Sequence, residues 1–242
     1  WRRCGYRFYL QRVLRLPEEP LPFAVGRRGD GGLDPRVRGT LVHEALEVGD
    51  DLPTIAARHG VEPTREELDD MTALVAGFAG TPLAGRIAAA PRVRREHPFS
   101  FPLGPALLTG VVDVLAEEAD GTALVVDYKT DRVAATEDLG AFVERDYGVQ
   151  RSAYALAALR GGHEAVEVAY AFLERPDQPI VTRFTAADAA ALEEELEQIA
   201  AGALGGDFPV AAEPHLDLCQ GCPGRRALCV HPEELTGREP AP

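Results

Sequence analysis

The chain reads as an α/β domain with a mixed central β-sheet flanked by helices. Three observations predict this class. Apolar residues at helical spacing in the first third give way to strand-like stretches in the middle. A tight-turn dipeptide, Asp120-Gly121, joins two of those stretches. A long helical segment then separates them from two further strands and a last helix, and this alternation is the pattern of an α/β fold.

Element by element, Asp34-Pro35 caps a helix whose apolar face is Val37, Leu41, Val42, Ala45 and Leu46 and which ends near Gly49. His43 lies on it. Residues 64–80 form a second helix, opened by Thr64 with Glu67 three positions on. A shorter helix follows over 82–90. Strands are expected over 94–101, 107–117 and 123–128, the last two forming a hairpin around Asp120-Gly121. Residues 138–160 make a long helix on which Gln150 and Tyr154, spaced i and i+4, share a face. Strands at 166–173 and 179–184 and a helix at 186–204 complete the order. The tail from Pro209 is irregular. Neither repeats nor low-complexity segments occur.

Composition sets limits. With 242 residues and 45% hydrophobic content, the chain can bury a proper core. No apolar run approaches the roughly 18 residues of a membrane span, so no membrane partner is expected. The opening Trp-Arg-Arg-Cys has neither an initiator Met nor a signal stretch, which points to a piece excised from a longer intracellular polypeptide. A net charge of −14 argues against nucleic acid at face value, yet residues 1–38 carry nine arginines against four acidic residues, a basic edge on an acidic body. Of the 25 Lys and Arg residues only one, Lys129, is lysine. Coding bias explains arginine wherever either cation serves. Lysine, a compact and titratable point charge, is not replaceable by arginine at a catalytic position.

The neighbours of Lys129 give it chemistry. Asp127 and Lys129, two apart on one strand, project from the same sheet face, and Asp113 on the other hairpin strand can approach that face. Adjacent carboxylates repel and raise each other's pKa unless a cation joins them. Hard oxygen donors select Mg²⁺ or Mn²⁺. Such an ion activates water and stabilises charge on a phosphoryl group, and Lys129 can assist. The flanks Leu-Val-Val and Gly-Val-Val indicate buried strands, where ionisable groups need a reason. The cysteines form a second set: Cys219-x₂-Cys222-x₆-Cys229 near the C-terminus and Cys4 near the N-terminus. This is ligand spacing, open to tetrahedral zinc or to a cubane iron–sulfur cluster.

Taken together, Gly-x-x-Asp, then Asp-Tyr-Lys-Thr, then Gln-x-x-x-Tyr on the following helix resembles the PD-(D/E)XK nucleases of the RecB type. The run Val-Asp-Tyr-Lys-Thr-Asp-Arg-Val at 126–133 is especially similar to nuclease domains at the C-termini of AddA-like and UvrD-like DNA helicases. The likeness runs from Arg3-Cys4 to Cys229. It implies a restriction-endonuclease-like core in a single nuclease domain over 1–242, with residues 1–10 and 209–232 forming a cysteine-ligated staple that joins the termini. It also implies that His43, in Gly-Thr-Leu-Val-His-Glu-Ala-Leu, ligates metal with Asp113, Asp127 and the carbonyl of Tyr128. Lys129 would be the catalytic lysine, Gln150 and Tyr154 would flank the site, and Glu96 would be an accessory acid. The one-plus-three cysteines and Cys4-Gly-Tyr-Arg-Phe-Tyr-Leu resemble the family's iron–sulfur members, implying a 4Fe-4S cluster held by Cys4, Cys219, Cys222 and Cys229, with zinc as the alternative. Six residues before Cys229 is one more than the family's usual gap. Arg2, Arg3, Arg7, Arg225 and Arg226 would give a basic rim for DNA phosphates.

The resulting expectation is a Mg²⁺- or Mn²⁺-dependent deoxyribonuclease, an exonuclease, of the bacterial cytoplasm. It would act in DNA repair and recombination on single-stranded or unwinding DNA, within a helicase–nuclease. Two alternatives stand beside it: a stand-alone exonuclease of the CRISPR-adaptation type, and a catalytically silent DNA-binding or scaffold domain of a helicase complex.

Overall fold

A computed structural model describes residues 3–18 and 32–239. The chain divides into two compact units, one of Ala24–Leu196 and a smaller one of Trp1–Phe23 with Glu197–Pro242. Helix α1 (Gly5–Phe8) runs straight into a π-helical stretch, Tyr9–Val13, and both belong to the smaller unit. Its other elements are short: α8 (Leu216–Cys219) and α9 (Glu233–Thr236). The larger unit contains α2 (Pro35–Val48), α3 (Leu52–Arg58), α4 (Arg65–Ala79), α5 (Pro82–Ala89) and α6 (Leu139–Arg160), with five strands, β1 (Arg92–Leu103), β2 (Ala106–Glu117), β3 (Ala123–Lys129), β4 (Ala165–Phe172) and β5 (Ile180–Thr185). Helix α7 (Ala189–Leu204) continues from it into the smaller unit.

Local chemistry explains the boundaries. The Asp34 carboxylate accepts from Arg36 N at 2.8 Å, Pro35 opens α2, and Gly49 closes it in the left-handed conformation at φ 75°. Thr64 and Glu67 form the expected capping box on α4. Asp138 caps α6 through Gly140 N and Ala141 N. Helix α3, capped by Asp51 on Thr54 N, is an addition to the sequence reading; seven residues are too few for apolar periodicity to stand out.

The strands lie in sequence order, β1-β2-β3-β4-β5, with β3 and β4 parallel and all other pairs antiparallel. The sheet is therefore mixed, and α6 is the right-length crossover between its parallel strands. Side chains of β3 alternate between two environments. Leu124, Val126 and Tyr128 pack with Leu41, Val42, Ile55, Met71 and Phe78 of α2–α4 in the main core. Each such fully buried side chain contributes about 1.5–3 kcal/mol. Asp127 and Lys129 instead meet side chains of α6 on the opposite side. Among the described residues, no helix is long and apolar enough to cross a membrane.

Candidate metal centre and active site

The site forms where two strands part. The β2–β3 ladder ends at Val114↔Val126, although both strands continue. One residue further, Asp113 faces Asp127, and the Tyr128 N–H, which no longer meets a β2 carbonyl, donates to Asp113 Oδ2 at 2.7 Å. His43, from α2, reaches the same oxygen with Nδ1 at 3.5 Å. The ring of His43 is held edge-on against that of Tyr128, itself packed on Phe78.

Strand β1 adds an acid. Glu96 stands opposite Asp113, between the ladder pairs Arg95↔Val114 and His97↔Val112, with a left-handed backbone at φ 44°. A non-glycine residue held so costs about 1–3 kcal/mol, a kind of strain that persists where a function depends on it. One ligand atom each from His43, Glu96 and Asp113 lie within 4.8 Å of one another.

The remaining side chains form a chain of contacts on the α6 side. Lys129 Nζ lies 2.7 Å from Asp127 Oδ2 and donates to Gln150 Oε1 at 3.2 Å. Gln150 Nε2 donates to Tyr154 Oη at 2.7 Å, and the Tyr154 hydroxyl reaches Asp127 Oδ1 at 3.0 Å and the Val111 carbonyl at 3.1 Å. Each amide and hydroxyl thereby has a defined role, so the network fixes the Asp127 carboxylate from one side. Its second oxygen differs: Asp127 Oδ2 is buried and, though close to Lys129 Nζ, makes no hydrogen bond of acceptable geometry.

These positions shape the titrations. Burial, then the neighbouring Asp127 charge, push the Asp113 carboxyl up to about 7, against the pull of the Tyr128 N–H. Burial, then Glu47 and Asp127, also raise Glu96. Burial lowers His43, which favours the neutral imidazole that a metal requires. Crowded carboxylates, one driven toward protonation, a neutral histidine and a buried carboxylate oxygen without a hydrogen bond make a donor set suited to a hard divalent cation.

The structure therefore brings together His43, Asp113, Asp127, Lys129, Gln150 and Tyr154. Two residues absent from the sequence-level site, Tyr147 and Asp131, join them. The Lys129 ammonium sits 3.8 Å from the centroid of the Tyr147 ring, a cation–π distance, and the Tyr147 hydroxyl donates to Asp131 Oδ2 at 3.0 Å. Tyr147 precedes Gln150 by three on α6 and so shares its face, but only the packing of α6 on β3 brings its ring over Lys129.

The cysteines meet in the smaller unit. Cys4, Cys219, Cys222 and Cys229 line one small cavity, and none is in a disulfide. Burial, followed by smaller contributions from the neighbouring cysteines, raises the Cys219 and Cys222 thiols. Gly221, at φ 73°, supplies the left-handed residue inside Cys219-x₂-Cys222. Of the arginines expected to rim this region, Arg2 lies outside the described residues. Arg7 is tied internally, donating to Leu218 O at 2.5 Å and to Gln11 Oε1 at 3.2 Å. Arg225 donates to Thr236 Oγ1 at 3.4 Å, the exposed Arg226 lies 3.7 Å from Glu233 Oε1, and Arg3 is exposed.

Comparison with known proteins agrees with this geometry. The family model of the PD-(D/E)XK nuclease superfamily matches residues 1–229. An ATP-dependent helicase/nuclease subunit of Desulforamulus reducens is 30% identical over 136 residues, covering 45% of this chain and 11% of that protein. Its counterpart in Desulfitobacterium hafniense is 29% identical over 147 residues, covering 58% of this chain and 10% of that protein. The chain thus spans about a tenth of these relatives. A crystal structure from Eubacterium rectale, of a protein provisionally named an exonuclease, shares the fold with a TM-score of 0.53 at 14% identity, over 94% of this chain and 88% of that one. With the family model spanning nearly the whole length, and its defining acidic pair and lysine gathered at one break in the sheet, the chain belongs to the PD-(D/E)XK nuclease superfamily.

Proposed function

We propose that this nuclease is a Mg²⁺- or Mn²⁺-dependent deoxyribonuclease, acting as an exonuclease on single-stranded or unwinding DNA. We place it in the bacterial cytoplasm, in repair and recombination, as one functional domain over 1–242 of a larger helicase–nuclease. The observation that carries the reading is the convergence of His43, Glu96 and Asp113 ligand atoms where β2 and β3 part, with the Asp127–Lys129 pair beside them on β3. Its likeness to helicase/nuclease proteins supports the setting.

In this reading Asp113, Asp127 and His43 hold the cation, with Glu96 and the Tyr128 carbonyl as further oxygen donors. When bound, the cation supplies an activated water and neutralises charge on the phosphoryl group. Lys129 offers its ammonium to the phosphate oxygens, where charge grows as the attacking oxygen bonds to phosphorus and the leaving oxygen departs. Gln150 and Asp127 orient that ammonium, and Tyr154 fixes Asp127 through Oδ1. Cys4, Cys219, Cys222 and Cys229 would hold a 4Fe-4S cluster with a structural role, zinc being the second candidate; four thiols around one cavity suit either. The exposed Arg3 and Arg226, with Arg2, Arg7 and Arg225, contribute positive charge for phosphates.

The test is degradation of end-labelled single-stranded DNA with Mn²⁺ by the wild type and by Asp127→Ala. Cleavage by the wild type alone is expected. Equal cleavage by both would overturn the assignment.

A further inference from the structure

A second concavity, about 320 Å³, opens between the β1–β2 pair and the C-terminal half of α6. One wall is apolar, built by Val112, Leu115 and Ala157, with Phe99 beside them. The rim is basic. Arg92 Nη1 lies 3.6 Å from Glu117 Oε1, and Arg94 Nη2 bonds the same oxygen. Two guanidiniums therefore share one carboxylate charge, which leaves a net positive edge beside an apolar wall. The hollow also borders the hydrolytic site: Tyr154 lines it, and the Tyr154 hydroxyl reaches Asp127 Oδ1 at 3.0 Å. Val112, another lining residue, immediately precedes Asp113.

We propose that this groove is a nucleotide subsite for single-stranded DNA, an inference that rests on the nuclease reading above. A base packs against Val112, Leu115 and Phe99, and a phosphate flanking it is held by Arg92 and Arg94. Positive charge that tracks the backbone, combined with a flat apolar and aromatic surface, is how proteins bind single strands without reading sequence. The volume falls in the range of sites for small organic molecules, and it lies beside the carboxylates proposed to hold the cation. Glu117 then acts as a stand-in for the phosphate, holding the guanidiniums in place until a strand displaces it.

The probe is fluorescein-labelled oligothymidylate in EDTA at low salt, read by anisotropy, so that binding is measured without cleavage. Arg92→Ala/Arg94→Ala is expected to weaken binding about tenfold and to flatten its salt dependence by one or two counterions. Ala157→Phe, which fills the groove from α6, is expected to weaken it about fivefold. Glu117→Gln removes the competing charge and is expected to tighten binding about threefold, a gain that misfolding cannot imitate. Unchanged affinity in all three variants would overturn the subsite. Wild-type cleavage with Mn²⁺ is scored separately. Its failure would remove the nuclease reading, whereas cleavage with unchanged variant affinities would remove the subsite alone.

Discussion

The molecule holds two clusters of metal-ligand residue types, and they are built on opposite plans. In the larger unit, oxygen and nitrogen donors come from regular elements: His43 from α2, Glu96 from β1, Asp113 from β2 and Asp127 from β3. Their charges are costly where they stand, as the raised carboxyls of Asp113, pushed up to about 7, and Glu96 attest, and Glu96 adds backbone strain at φ 44°. In the smaller unit, four thiols come from the N-cap of the short α1 (Cys4), the end of the short α8 (Cys219) and irregular chain beyond it (Cys222 and Cys229), around one cavity. A site held by strands can store strain and keep its shape without an ion. A set of thiols on irregular chain depends on its ligand for order. On the proposed reading, one cluster is positioned by the fold for chemistry, while the other would position the fold through its ligand.

The largest expected effects separate these plans. Asp113→Asn should lower cleavage by at least about a thousandfold. The same change should stabilise the metal-free protein at pH 8. A carboxyl whose pKa is raised in the folded state removes stability as pH climbs from about 4, the ordinary range, to about 7, and asparagine does not ionise. Thermal unfolding in EDTA at pH 5 and pH 8 checks this: the wild type should lose stability between the two, and the variant should lose less. If the four thiols hold the proposed iron–sulfur cluster, Cys222→Ser should abolish its visible absorption and iron content and lower the unfolding midpoint by several degrees, the reverse sign. If both substitutions destabilise alike, the comparison fails.

Smaller effects sharpen it. Cleavage at subsaturating Mn²⁺ should rise through pH 7, because Asp113 must lose its proton to bind the ion; a profile flat from pH 6 to pH 8 would contradict this. Tyr147→Leu removes the ring over Lys129 and should reduce kcat about tenfold with little change in KM. Tyr147→Phe keeps the ring, loses only the bond to Asp131, and should stay within about threefold of wild type.

Much of this was legible in the sequence because the informative residues carry their signals locally. The helix at 35–48 has its own cap and stop, the hairpin its Asp120-Gly121 turn, and Lys129 stands out among arginines. Asp127 and Lys129 share a face by the strand period, and Gln150 and Tyr154 by the helix period. What no local pattern discloses depends on pairing between distant segments. Glu96, suggested only through the family resemblance, joins the site by its register opposite Asp113 and an unusual φ. Tyr147 becomes part of the site only once α6 lies across β3 at the depth of Lys129. Helix α3 was too short for its apolar residues to show a period.

In the proposed mechanism Lys129 acts on the substrate while the carboxylates hold the ion. Mn²⁺ binding and DNA cleavage measured on one preparation of Lys129→Ala test it most directly. Mn²⁺ is expected to bind at least as tightly as in the wild type, since a neighbouring positive charge is gone, while kcat falls by at least about a hundredfold. Cleavage at the wild-type rate, or loss of Mn²⁺ binding together with activity, would contradict it.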